Sequence, residues 1–323
     1  MVKKLNSKGL TFEKDCVIIY IRSYFVEIFR IFFVKDTMNE EKTTSPKIGI
    51  VLAGGMSKVA YEIGCLQAIS EYFGKEQIVA ISASSIGTLA GYACSVGKLS
   101  EMTEKWEQLN TNQRTGSMLR LAKNKDAINL FLPLIGEHDT FSCNLYNTVW
   151  NYTRSSVDYV SIPELNYKKR VDFMLASIAL PVINKAIRID GELYFDGAFL
   201  DNIPVLPFLK TDLDYIFCIY FDGWNYQFEN PSFDKKIIKL NHFPEKSGLD
   251  FLVYDSSQIK DMITYAYHYT ANTIHELFAT PIKENVYAAI QKRNINSKNR
   301  ITTEILLTNV NKAMGWLSKR NIF

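Results

Sequence analysis

The chain has 323 residues, 47% hydrophobic and 22% charged, a composition that supplies a full apolar core and excludes disordered, collagenous and coiled-coil chains. Lysine and arginine total 37 against 34 acidic residues. Seven bases and four acids within residues 1–37 account for the whole excess, so no basic stripe argues for a nucleic-acid partner. Five cysteines (Cys16, Cys65, Cys94, Cys143, Cys218) stand singly, without the spacing of a metal site or a disulfide framework, which fits reduced thiols in a cytoplasmic protein.

In chain order, residues 16–34 are long and apolar enough to suggest a membrane span, but Arg22, Glu27 and Arg30 inside the run are costly in hydrocarbon. Ser23, Glu27 and Arg30 recur at helical spacing, which predicts an amphipathic helix lying in a membrane interface or docked on the domain. No small-residue cleavage site follows. A third reading stays open beside these two, in which the natural product starts at Met38 and residues 1–37 are spurious. Residues 1–46 are therefore set apart as a leader, and residues 47–323 are expected to form one domain.

From Lys47 the pattern is that of an α/β fold. The apolar run 48–53 ends at Gly54-Gly55 and is followed by apolar periodicity over 59–73, which predicts strand, glycine loop, helix. A second short strand over 78–82 leads through small residues into a helix over 86–96. Residues 171–176 read as a third buried strand, 186–195 as a hairpin turning at Asp190-Gly191, and 215–221 as a further strand. Residues 100–165 read as helical and irregular, with an apolar patch (Leu130, Phe131, Leu132, Leu134, Ile135) around Pro133 that suits a cap over a site. Helical spacing returns from Ile259 to Phe278 and again over 303–317. Alternating strands and helices predict a mostly parallel sheet covered on both faces.

Three short motifs carry chemistry. Ala83-Ser84-Ser85-Ile86-Gly87 is GxSxG with alanine for the first glycine, placed between a strand and a helix. A nucleophile elbow needs small residues two before and two after its serine because the turn is tight, and it presents Ser85 at a helix start where backbone N–H groups favour developing negative charge. Gly54-Gly55-Met56-Ser57-Lys58 follows the first strand, where glycines let N–H groups turn toward an anion; neither GxGxxG nor GxxxxGK[ST] is present, which argues against a nucleotide site. Asp196-Gly197-Ala198 closes the hairpin. Singly, each motif is also what an ordinary turn looks like.

Together and in this order the three resemble the patatin-like phospholipase family. The likeness extends to Tyr61-Glu62-Ile63-Gly64, to residues 176–181 (ASIALP) and to Asp201-Asn202-Ile203-Pro204, and covers about residues 47–222. It implies a three-layer α/β/α fold with a mostly parallel central sheet, Ser85 as nucleophile, Asp196 as its partner in a dyad, and an oxyanion hole from Gly54, Gly55 and Met56, with Lys58, Gly87 and Gly197 in support. The four histidines, His138, His242, His268 and His275, lie outside all three motifs, in keeping with a dyad. The resemblance further implies a phospholipid or other acyl-lipid substrate, peripheral membrane contact, and no metal or cofactor. The family usually has glycine where this chain has Met56, Val59 and Ala83. If the loop required positive φ at Met56 or Val59, the bulky side chains would be strained there, β-branched Val59 above all. Two alternatives on the same fold remain: an inactive lipid-binding protein, and an acyltransferase or thioesterase using the same serine.

Overall fold

A computed structural model describes residues 45–55, 58–108, 131–221, 231–242, 256–280 and 282–295. The chain divides into Met1–Ser45 and Pro46–Phe323, and the described elements belong to the second unit. The amphipathic segment 16–34, Met56, Leu130 and the expected helix over 303–317 lie outside the described residues.

The first strand, β1 (Ile48–Leu52), is buried along its whole length, as a run of apolar residues without alternation requires when both sheet faces are covered. Helix α1 (Val59–Phe73), β2 (Ile78–Ser84), α2 (Gly87–Ser95) and α3 (Leu99–Gln108) follow. Next come β3 (Asn144–Asn151), β4 (Ser156–Ser161), α4 (Tyr167–Ala176), β5 (Ile187–Ile189), β6 (Glu192–Asp196), β7 (Tyr215–Tyr220) and β8 (Ile237–Asn241). Helix α5 (Ser256–Leu277) and a further helix over 283–295 complete the described part.

The sheet runs β5-β6-β3-β2-β1-β7-β8, with β4 paired to β3 off this path. Five neighbours, β3-β2-β1-β7-β8, are parallel; β4, β5 and β6 join antiparallel. Helices flank this mostly parallel sheet, as expected. Helix α1 packs on α5 so closely that a Cβ on Gly64 would stand 2.2 Å from the carbonyl oxygen of Ile263. Only a residue without a side chain permits that backbone approach.

Two expectations are corrected. Residues 171–176 are the second half of helix α4. A short apolar run is ambiguous between strand and buried helix. Here the decision lies upstream, where Asn166 caps the helix by accepting the Lys169 N–H at 3.0 Å. The stretch 100–165 is not simply helical and irregular, since it contains β3 and β4. Strand β8 also had no counterpart in the sequence reading. Of the apolar patch, Phe131, Leu134 and Ile135 are buried core, and Phe131 packs on Trp106.

Candidate active site

Strand β2 delivers Ser85 into a tight turn from which α2 departs at Gly87. Ser85 has φ 53°, a conformation that L-residues avoid and that a nucleophile elbow imposes. The Thr88 N–H donates to the Ser85 carbonyl at 3.0 Å, which locks the first turn of α2 behind it. The Ser85 hydroxyl donates to Oδ2 of Asp196 at 2.6 Å, in the short range of a charge-assisted bond.

Asp196 is the last residue of β6 and is almost wholly buried. Its N–H donates to the Ala179 carbonyl at 2.9 Å, and its Oδ1 accepts the Ala198 N–H at 2.9 Å, capping the turn Gly197–Phe199. Burial raises its carboxyl to about 7; the bonds from Ser85 and Ala198 pull the other way without cancelling it. An aspartate at that value is matched to proton transfer near neutral pH.

The glycine loop lies directly against the serine. A Cβ on Gly54 would fall 2.5 Å from the Ser85 Cβ and 2.9 Å from Oδ1 of Asn202, so this backbone reaches the hydroxyl only as glycine. Asn202 Nδ2 donates to the Gly54 carbonyl at 3.1 Å, and the Ser84 hydroxyl donates to the Asp201 carbonyl at 3.2 Å. Asp201 in turn accepts the Tyr159 hydroxyl at 2.5 Å. The segment after the aspartate thereby ties the glycine loop to the elbow. Among the described residues the N–H groups of Gly54 and Gly55 donate to no backbone carbonyl. Gly55 abuts the ring of Phe221, and Lys58, the N-cap of α1, places its ammonium 5.5 Å from that ring's centroid.

The substitutions for family glycines are accommodated where they are described. Val59 is not among the positive-φ residues and is buried in the first turn of α1; Ala83 is a buried strand residue. Neither strains the loop. Gly87 is buried at the start of α2, and its Cα faces the carboxyl of Glu62 on α1, 3.0 Å from where a Cβ would be. Glu62 is fully buried, both its oxygens lack a hydrogen-bond partner, and burial holds its carboxyl well above the usual range.

Of the residues expected at the site, Ser85, Asp196, Gly54, Gly55, Gly87 and Gly197 converge, and Lys58 stands at the loop's exit. Sequence reasoning missed Asn202, Asp201, Ser84 and Glu62 as supports. The signals for them were adjacency to the three motifs and, for Glu62, Asp201 and Asn202, the family likeness of the segments that hold them. Among the described residues no three of His, Cys, Asp and Glu stand together as metal ligands. His242 is buried beside Cys65, with Nε2 3.2 Å from the sulfur, and takes no part in this cluster.

A serine at a strand–helix elbow, bonded to a buried aspartate and roofed by a glycine loop, thus sits on a mostly parallel α/β sheet. The Patatin-like phospholipase family model matches residues 50–209, and this part of the chain belongs to that family. The uncharacterized NTE family proteins Mb1092c of Mycobacterium bovis and MT1093 and Rv1063c of Mycobacterium tuberculosis are each 26% identical to this chain over 195 residues, 56% of its length. The chain spans about half the length of these curated relatives, 51%. Among solved structures, VipD from Legionella pneumophila aligns over 72% of this chain and 67% of its own with 12% identity and a TM-score of 0.46. The type III effector ExoU aligns over 85% and 65% with 11% identity and a TM-score of 0.36.

Proposed function

We propose that this protein is a lipid acyl hydrolase in which Ser85 and Asp196 form the catalytic dyad. The observation that carries the reading is the 2.6 Å bond from the Ser85 hydroxyl to a buried aspartate with its carboxyl near 7, at a positive-φ elbow. Membership in a phospholipase family supports lipid-ester hydrolysis as the chemistry.

In this mechanism the Ser85 oxygen attacks the ester carbonyl carbon as its proton passes to Asp196. The carbonyl oxygen becomes an oxyanion, met by the N–H groups of Gly54 and Gly55 and by the start of α2. Collapse breaks the ester C–O bond, and the leaving lyso-lipid or alcohol takes the proton from Asp196. Water then gives its proton to Asp196 and attacks the acyl-serine, releasing a fatty acid and returning the proton to Ser85. Lys58 adds positive charge at the loop's exit, suited to a lipid phosphate. On this reading residues 47–323 serve as the hydrolase domain, residues 1–46 are a leader, as an interfacial helix or as a spurious extension, and the protein works in the cytoplasm with peripheral membrane contact. Among the described residues no helix is long and apolar enough to cross a membrane.

The test is fatty-acid release from mixed phospholipid vesicles by wild type, Ser85→Ala and Asp196→Asn, without added metal. Loss of release in both folded variants upholds the dyad. Undiminished release in either one removes that residue from it, and absence of release from wild type together with failure of Ser85 to react with a fluorophosphonate moves the protein to the lipid-binding alternative.

A further inference from the structure

The dyad is almost sealed from water, yet the chain on both sides of Asp196 projects apolar side chains outward. On one side the Ala179 carbonyl holds the Asp196 N–H at 2.9 Å. The chain then turns sharply, with the Leu180 N–H donating to Oδ1 of Asn184 at 2.9 Å and the Asn184 N–H to the Leu180 carbonyl at 2.9 Å. At the tip stands Val182, with φ 70° and a relative exposure of 102%. A β-branched residue at positive φ is a backbone outlier, and glycine or asparagine would sit there at lower cost. The tip therefore carries an apolar side chain against both its conformational preference and its hydration.

On the other side, the turn that Asp196 caps carries Phe199 and Leu200, 73% and 49% exposed. The Phe199 ring stacks on Trp150 at 5.8 Å between centroids and 15° between planes, and Trp150 leads on to Tyr152 at 5.5 Å, itself 53% exposed. Trp and Tyr favour a boundary where one end is apolar and the other wet. Lys185, exposed and three residues beyond Val182, supplies a cation for anionic headgroups. Val182 and Phe199 each lie three residues from the Ala179–Asp196 hydrogen bond, so both are fastened to the backbone of the proposed base.

We infer that Val182, Phe199 and Leu200, bordered by Trp150, Tyr152 and Lys185, form the face by which this protein inserts into a lipid bilayer with the dyad's mouth against the headgroups. The inference rests on the lipid-hydrolase reading and names the surface through which that site meets its substrate. A bilayer, not a protein groove, suits a patch whose apolar tips stand out separately and whose border mixes indole, phenol and ammonium.

The test compares full-length wild type, Val182→Asp, Phe199→Asp, the double variant and Val182→Gly. It measures sedimentation with vesicles of phosphatidylcholine and phosphatidylserine, release of fatty acid from those vesicles, and hydrolysis of a dissolved short-chain ester. Ile295→Asp is the control, since Ile295 is an exposed apolar residue (59%) away from this face in sequence. Each Asp variant should bind vesicles about tenfold more weakly and lose vesicle hydrolysis in step, with dissolved-ester hydrolysis unchanged; Val182→Gly, which relieves the tip, should weaken binding without loss of fold. Wild-type binding by the double variant overturns the face, as does an equal loss on the dissolved ester, which would place these residues in the site. If wild type leaves both esters intact, the hydrolase reading fails, while the sedimentation arm still decides the face.

Discussion

Ser85 and Asp196 meet because β2 and β6 end against each other on one edge of β3. Ser84 pairs with Thr148 in parallel, and the next β3 residue, Val149, pairs with Asp196 in antiparallel. Strand β4 occupies the opposite edge along Tyr146 to Asn151. The two strands therefore run toward one another, and their C-terminal ends bring Ser85 and Asp196 to the same point.

For the proposed dyad, the pH dependence of hydrolysis follows from Asp196. As base it must be ionised, so kcat/KM should rise through a single limb with a midpoint near 7 and level off above it. A pH–rate profile on a dissolved ester measures this. A plateau extending down to pH 5 would remove Asp196 as the base.

The same group makes a stability prediction of opposite benefit. Its carboxyl is raised above the unfolded value of 3.8, so the folded state binds the proton more tightly and stability falls as pH rises from about 4 to about 7. Asp196→Asn should then be more stable than wild type at pH 8, by up to about 4 kcal/mol, with the gain vanishing near pH 4. Urea unfolding at the two pH values checks it.

His242 works in the reverse sense. Burial depresses it to about 4, so the folded state resists protonation and loses stability as pH falls from about 6.5 to about 4. His242→Gln should flatten that acid limb, seen as a smaller drop in melting temperature between pH 7 and pH 4.5.

Gly54→Ala would force a Cβ to 2.5 Å from that of Ser85, and one of the two backbones must retreat. The expected result is a fall in kcat/KM of about 10²-fold or more with the circular dichroism spectrum unchanged. Asn202→Ala, which releases the Gly54 carbonyl, should cost less and act mainly on kcat.

Glu62 has both oxygens buried and unpartnered. Glu62→Met keeps the volume and removes the unmet polar atoms, so it should raise stability at pH 8 by about 1–3 kcal/mol, whereas Glu62→Ala leaves a cavity and should lower it by about 2–4 kcal/mol. Denaturant midpoints distinguish the two.

The parts legible in the sequence were those governed by local rules. Strand β1, the elbow, the hairpin at Asp190-Gly191 and the apolar face of α5 follow from short apolar runs, turn residues and helical spacing. The rest depends on pairing. Strand β3 (NLYNTVWN) carries three asparagines, and these belong in a strand because Asn147 accepts from Thr88 and donates to the Phe173 carbonyl, partners 59 and 26 residues away. Asn202 and Glu62 likewise acquire their positions from residues distant in sequence, which no spacing rule reports.

Strand β1 is among the earliest of the domain to leave the ribosome, yet its second neighbour, β7, pairs with it through Ile48 and Tyr215. Throughout most of synthesis one edge of IGIVL is unmatched, and such an edge invites pairing with other chains. The β1–β7 edge therefore closes only after residue 220 has been made. Asp196 becomes available to Ser85 within the same interval, so a chain cut before residue 196 carries the serine without the carboxylate to which it donates.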